Sequence, residues 1–337
     1  MQKLLAFFHE YALVIGLTSY RFVNGRFQQT RITKTYVWIV NLGLLAALPY
    51  CMWEVSKFNS SISLYPRFVK TVPYVLDSIN NAVILYALVL RGRRDKILLE
   101  MDRLITQVNR EMSKSGKNTS SKLCKVLYLK ICLVASRSLH NLMQCFIYGL
   151  PVEFRFKPRI SCLIVTIGKN LVVASTFQYF LVFWNIARGY DFINERIDEL
   201  IPQSKSKKKE ISRLWDLHFK LGRTFTRINR LFGPQMLTAR LNYFSYTVMN
   251  SYFGILLWNE KSTPNFFMCM WSIVFLLHTM SSFLSDYIIG LATETQSKRR
   301  DSITEENGTM SKETSAYIIY ETSMKLTERF VDSSKPI

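Results

Sequence analysis

The chain has 337 residues, 49% hydrophobic and 14% aromatic, and its 44 lysines and arginines against 24 acids give a net charge of +20. The mean hydropathy of +0.08 averages long apolar stretches with strongly basic ones, which excludes an ordinary soluble globular domain. A charge this large suggests nucleic acid until the basic residues are placed on the chain; they crowd into alternate loops, the pattern of a topology signal, and nucleic acid drops out as a partner.

Residues 1–35 form a lead-in segment. Its apolar run from Tyr11 to Leu17 follows His9 and Glu10 directly and precedes no small-residue cleavage site, so it predicts a short interfacial helix on the cytosolic face rather than a cleaved signal peptide. A membrane helix needs about 20 mostly apolar residues to cross roughly 30 Å of hydrocarbon. Six stretches qualify: 36–55, 69–90, 127–150, 161–186, 235–258 and 265–290. The fold class expected is therefore all-α, a polytopic transmembrane helical bundle.

Loop charge sets the orientation. Lysine and arginine number five before the first span, ten in loop 91–126, eleven in loop 187–234 and seven in the tail 291–337, but only six in the other three loops together. The positive-inside rule then places the N-terminus, both long loops and the tail in the cytosol, in a multi-pass plasma-membrane protein. That orientation excludes a G-protein-coupled receptor, whose N-terminus is outside. The sequon at Asn59 falls in an external loop and is the candidate glycosylation site; those at Asn118 and Asn307 fall in cytosolic segments.

Loop 187–234 carries two helical stripes. Tyr190, Ile193, Ile197, Leu200 and Ile201 form the first. Beyond Pro202 and the lysine cluster at 205–209, Leu214, Leu217, Leu221, Phe225 and Ile228 form the second. Spans four and five thus continue below the membrane as amphipathic helices, which either lie on the lipid surface or pack into a cytosolic anchor shared between subunits.

Ionisable groups in hydrocarbon need partners, water or a path to the interface. Lys70 and Lys130 sit close enough to span ends to snorkel outward. Span three carries Arg137, His140, Asn141, Gln144 and Tyr148 on one face; span two carries Tyr74, Asp77 and Asn81; span four carries Lys169 and Asn170. At 1.5 Å per residue Asp77 and Lys169 lie about 12 Å below the outer boundary, deep enough for Asp77 to pair with Arg137 or Lys169. Arg240 and Asp286 fall near cytosolic ends of spans and read as interfacial. Tyr246, Asn250 and Trp271 are candidates for an aromatic-lined pocket, whereas Trp53, Tyr252 and Phe266 suit the interfacial aromatic belt. No catalytic motif, cofactor motif or metal-ligand spacing occurs: HExxH, nucleophile elbow and phosphate loop are absent, the six cysteines show no CxxC, and the four histidines are far apart. An enzyme is not expected.

The lead-in from Tyr11 to Phe22 with Gly16, the inverted topology with long basic loops, and a sixth span running through Ser281-Ser-Phe-Leu-Ser-Asp-Tyr into a charged stretch together resemble the insect gustatory receptor family. The resemblance implies a ligand-gated cation channel, a homo- or hetero-tetramer of seven-span subunits in the lipid bilayer. It implies a pocket for a small-molecule tastant in the external half, mapped onto Tyr74, Asp77, Asn81, Asn141, Gln144, Tyr148, Lys169, Tyr246, Asn250 and Trp271. The chain departs from the family at its end. It lacks the Thr-Tyr-(five apolar)-Gln-Phe signature, and residues 314–331 are too short and polar for a seventh span. A divergent bitter-type subunit is the expectation, with a multi-pass transporter or a non-conducting truncated subunit as alternatives.

Overall fold

The computed structural model describes the backbone of residues 2–23, 26–62, 67–117, 119–149, 156–201, 204–259 and 265–306, and the side chains of most of them. Eight helices are described: α1 (Gln2–Val14), α2 (Arg31–Ile62), α3 (Arg67–Val89), α4 (Arg91–Lys114), α5 (Ser121–Gly149), α6 (Phe156–Leu200), α7 (Ser204–Asn259) and α8 (Asn265–Glu306). One antiparallel hairpin interrupts the helical plan, β1 (Arg21–Val23) paired with β2 (Arg26–Gln28) in the register Phe22 opposite Phe27. Among the described residues three helical stretches are long and apolar enough to cross a membrane: Arg31–Val55, Ile160–Leu200 and Ser272–Ser297. They overlap the first, fourth and sixth predicted spans. The other three predicted spans fall within α3, α5 and α7; among the described residues of these helices Ser78–Val89 in α3 is a shorter apolar helix.

Helix α6 is the axis of the bundle. Its 45 residues reach about 68 Å, more than twice the hydrocarbon thickness. It packs against α2, α3, α4, α5, α7 and α8, and its side chains from Leu171 to Phe183 are almost all buried. Gly168 lets α2 and α3 close onto it: a Cβ there would stand 2.8 Å from Leu48 Cδ1 and 3.3 Å from Ile84 Cδ1. The outward faces of the bundle divide along its length. Trp38, Ile39, Leu139, Leu241, Phe244, Ile255, Leu276 and Phe283 are exposed on α2, α5, α7 and α8, an apolar exterior suited to lipid. On α4, the end of α6 and the start of α7 the exposed groups are charged instead, with ion pairs such as Arg227–Glu100 and Arg196–Glu210 at 2.8 Å.

The two helical stripes of loop 187–234 are spent inside this chain. Tyr190, Ile193, Ile197 and Leu200 are buried, as are Leu214, Leu217, Leu221 and Ile228, while Ile201 is exposed. The stripes pack on each other and on α4, a helix that the sequence reading missed although Leu98, Met101, Ile105, Val108 and Met112 repeat at alternating spacings of three and four. Most of the stripe residues are therefore buried within this chain, with Phe225 half-buried and Ile201 exposed.

The lead-in is likewise more deeply set than an interfacial helix. Phe8 meets Phe177 of α6 edge-on at 4.6 Å, and Ala12, Leu17 and Tyr20 are buried. Helix α1 ends in a Schellman turn: Leu17 N–H donates to Ala12 O at 2.8 Å and Gly16 N–H to Leu13 O at 3.0 Å. Gly16 holds φ +78°, and a Cβ there would stand 2.6 Å from Asn41 Oδ1, so two separate constraints select glycine.

Residues 17–20 then enter a buried polar joint. Ser19 donates from its N–H (3.0 Å) and its hydroxyl (2.5 Å) to Asp95 Oδ2 at the start of α4. Arg94 donates to Leu17 O, and to Ser175 Oγ of α6 at 3.4 Å. Gln235, just past Pro234 in α7, donates to the same Ser175 Oγ at 2.5 Å, and Gln178 of α6 donates to the Tyr20 hydroxyl at 2.8 Å. Asn41 of α2, with its amide turned to satisfy both neighbours, donates to Gly16 O and accepts from Arg91. Burial pushes the Asp95 carboxyl up, against the pull of Arg94 and of the two Ser19 hydrogen bonds.

Two predictions follow from this packing. Asp95→Ala strands the buried Arg94 and both Ser19 donors; it should cost about 3–5 kcal/mol by analogy with other broken buried charge pairs. In detergent the melting point should fall sharply, whereas Arg103→Ala, at an exposed site on the same helix, should change little; equal melting points for both variants would contradict the joint. His9, enclosed by Phe8, Tyr20 and Phe27, is pushed down by burial from 6.5 to about 4. Between those values the unfolded chain binds the extra proton, so stability is full above pH 6.5 and falls as pH drops toward 4. Thermal unfolding at pH 7 and pH 5 should show the loss, and His9→Phe should flatten it.

Candidate ligand site

The span-embedded polar residues converge where α5 meets α6 and α8. On α5, Lys130, Arg137, His140 and Asn141 recur at helical spacing and share a face. Asn141 is buried and donates from Nδ2 to Asn170 Oδ1 of α6 at 2.9 Å. His140 lies close enough to Arg137 and Lys169 for their charges to act on it, and His278 of α8 is similarly placed toward Arg137, His140 and Lys130. Between α5 and α8 runs a cleft of about 30 Å³ lined by Ser136, Arg137, His140, Leu277, His278 and Ser281, among others. That volume holds one or two waters at about 10–15 Å³ each. Helix α7 closes one side: the Tyr243 ring stacks on His278 at 5.4 Å, and its hydroxyl donates to Thr279 Oγ1 at 2.8 Å.

Lys130 corrects the sequence reading. It does not snorkel; it is 1% exposed, and its Nζ donates to Ser281 O (2.5 Å), Ser281 Oγ (2.9 Å) and Ser285 Oγ (2.8 Å), with the Phe180 ring 5.5 Å away. Ser281 and Ser285 are four apart, so both face one side of α8. The serines of the Ser281-Ser-Phe-Leu-Ser motif thus have a physical task, three acceptors for one buried ammonium, which offset its desolvation. Arg240 and Asp286 pair with each other and are about half exposed (56% and 54%), as interfacial groups should be.

Of the predicted pocket residues, Asn81, Asn141 and Lys169 have described side chains. Asn141 and Lys169 join the seam. Asn81 sits half-buried on α3, where its neighbour Asn80 accepts from Asn242 of α7 at 2.8 Å. The side chains of Tyr74, Asp77, Gln144, Tyr148, Tyr246, Asn250 and Trp271 lie outside the described residues, and so does that of the sequon Asn59. The sequence reading missed His278, Ser281, Ser285 and Tyr243 as members of the seam. The first three fall on one face of α8 at spacings of three and four, a signal open to inspection. Among the described residues no group of three metal-ligating side chains comes together.

This seam, polar and basic, is enclosed by long helices with an apolar exterior. The family model described as 7tm Chemosensory receptor matches residues 5–305. A Drosophila erecta protein named as gustatory receptor 59b is 33% identical over 265 residues, which cover 77% of this chain and 45% of that protein. The chain thus spans under half the length of the curated relative it matches. On this evidence the chain belongs to the 7tm chemosensory receptor family, the membrane receptors that include the insect gustatory receptors.

Proposed function

We propose that the chain is a gustatory receptor subunit of the plasma membrane, N-terminus cytosolic, that binds a small organic tastant and contributes to a tetrameric ligand-gated cation channel. The observation that carries the binding step is the buried Asn141–Asn170 hydrogen bond beside Lys169, Arg137 and His140. Such groups inside spans are costly and persist where they contact each other, water or a ligand. The described charges of the seam are basic, apart from Asp286, which Arg240 holds. The site is therefore suited to a ligand rich in hydrogen-bond acceptors.

The outer pocket residues Tyr74, Asp77, Asn81, Gln144, Tyr148, Tyr246, Asn250 and Trp271 extend the same site toward the external face in this reading. Six spans, at 36–55, 69–90, 127–150, 161–186, 235–258 and 265–290, carry it, and the charged end of the bundle hangs into the cytosol. Glycosylation at Asn59 belongs to the same topology.

Calcium imaging of cells expressing the chain, alone and with a full-length gustatory receptor, against plant alkaloids and sugars tests the function. A tastant-evoked rise is expected, with the half-maximal concentration raised about tenfold or more in Asn141→Leu, a loss of about 1.4 kcal/mol of binding, at unchanged surface level. Silence to the whole panel in both settings, or a response that Asn141→Leu leaves unchanged, would contradict the reading.

A further inference from the structure

A second cleft lies away from the ligand seam, at the far tip of the charged end of the bundle. It measures about 490 Å³, within the range of ordinary small-ligand sites. The last turn of α4, the last turns of α6 and the first turns of α7 enclose it. Five cations line it (Lys114, Arg196, Lys207, Lys209 and Arg213) against two carboxylates, Glu111 and Glu210.

The two carboxylates are already engaged. Glu111 is held by Arg213 and by Lys114 at 3.4 Å, and Glu210 by Arg196 at 2.8 Å. Glu195 and Glu199, nearby on α6, are held by Lys117. Among the described residues neither Lys207 nor Lys209 has an ion-pair partner. Lys207 also departs from helical geometry (φ −117°, ψ 20°), a bend that sits within the rim of the cleft. The N-terminus of α7 is one turn away and adds its partial positive charge. Like charges crowded in a cleft repel one another, and a multivalent anion relieves that repulsion while joining three helix ends.

We propose that this cleft binds a compact polyphosphate, contacted by Lys207 and Lys209 and steadied by Arg196 and Arg213. Such a group can come from solution or from a phosphorylated lipid headgroup. With the charged end cytosolic, as the proposed function has it, α6 runs about 9 Å beyond residue 186 to Phe192, where the cleft begins, and about 15 Å to Arg196, whereas the headgroup layer adds only about 5–8 Å. The distance favours the soluble source.

Inositol hexakisphosphate titrated into the full chain in detergent should raise its melting point saturably, and the effect should weaken steeply with added salt. Lys207→Gln/Lys209→Gln should bind at least about tenfold more weakly, while a double variant of equal charge loss elsewhere, Arg103→Gln/Lys125→Gln, should bind like the native chain. No saturable binding, unchanged affinity in the first variant, or an equal loss in both would overturn the site. A second arm compares free inositol 1,4,5-trisphosphate with nanodiscs carrying phosphatidylinositol 4,5-bisphosphate: binding of the former assigns the soluble source, and binding of the nanodisc alone assigns the lipid. Failure here leaves the tastant response untouched, so the two readings are separable.

Discussion

The buried joint between Ser19, Asp95 and Arg94 fixes how the rest of the bundle is assembled. It ties the turn after α1 to the first residues of α4, and through Ser175 and Gln178 it ties both to the middle of α6. Gln235 draws in α7 where Pro234 removes a backbone donor, so the freed geometry is anchored by a side chain. These are charged and polar groups out of contact with solvent, and such groups are tolerated only when partnered. The geometry is therefore narrow: α1, α2, α4, α6 and α7 must arrive together.

Above and below that joint the same long helices serve different solvents. The exteriors of α2, α5, the second half of α7 and the first half of α8 are apolar, and polar groups turn inward to the seam of Lys130, Asn141, Asn170 and His278. Beyond the joint the pattern inverts. The stripes on α6 and α7 close over the apolar stripe of α4, and charges face outward. One sequence of helices thus builds a lipid-suited half with a polar interior and a water-suited half with an apolar interior.

The helical class and the helical continuation through residues 187–200 and 204–234 were legible because each rests on local periodicity or composition. Three features were missed. Helix α4 carried a clear three-four spacing, and stepping that stripe back from Leu98 lands on Arg94 and Asp95, so the helix was within reach of a period count. The partners of the joint, however, are 76 to 81 residues apart, and nothing local couples Ser19 to Asp95 or Leu17 to Arg94. Lys130 was misread because distance from a span end was used where its facing residues decide the matter: Ser281 and Ser285 meet it from a helix more than 150 residues later. Of the candidate pocket residues, Asn141 and Lys169 stand out in the sequence by their polarity inside apolar runs, but the Asn141–Asn170 hydrogen bond depends on tertiary packing.

The joint holds the N-terminal segment and the start of α4 together, and the proposed function requires that both lie on the cytosolic side of the membrane. An epitope tag at Met1 and a single introduced cysteine at the exposed Arg110 site, probed by antibody and by a membrane-impermeant maleimide, test both halves at once. Both probes should react only after the cells are permeabilised. Reaction of either one on intact cells would contradict the arrangement.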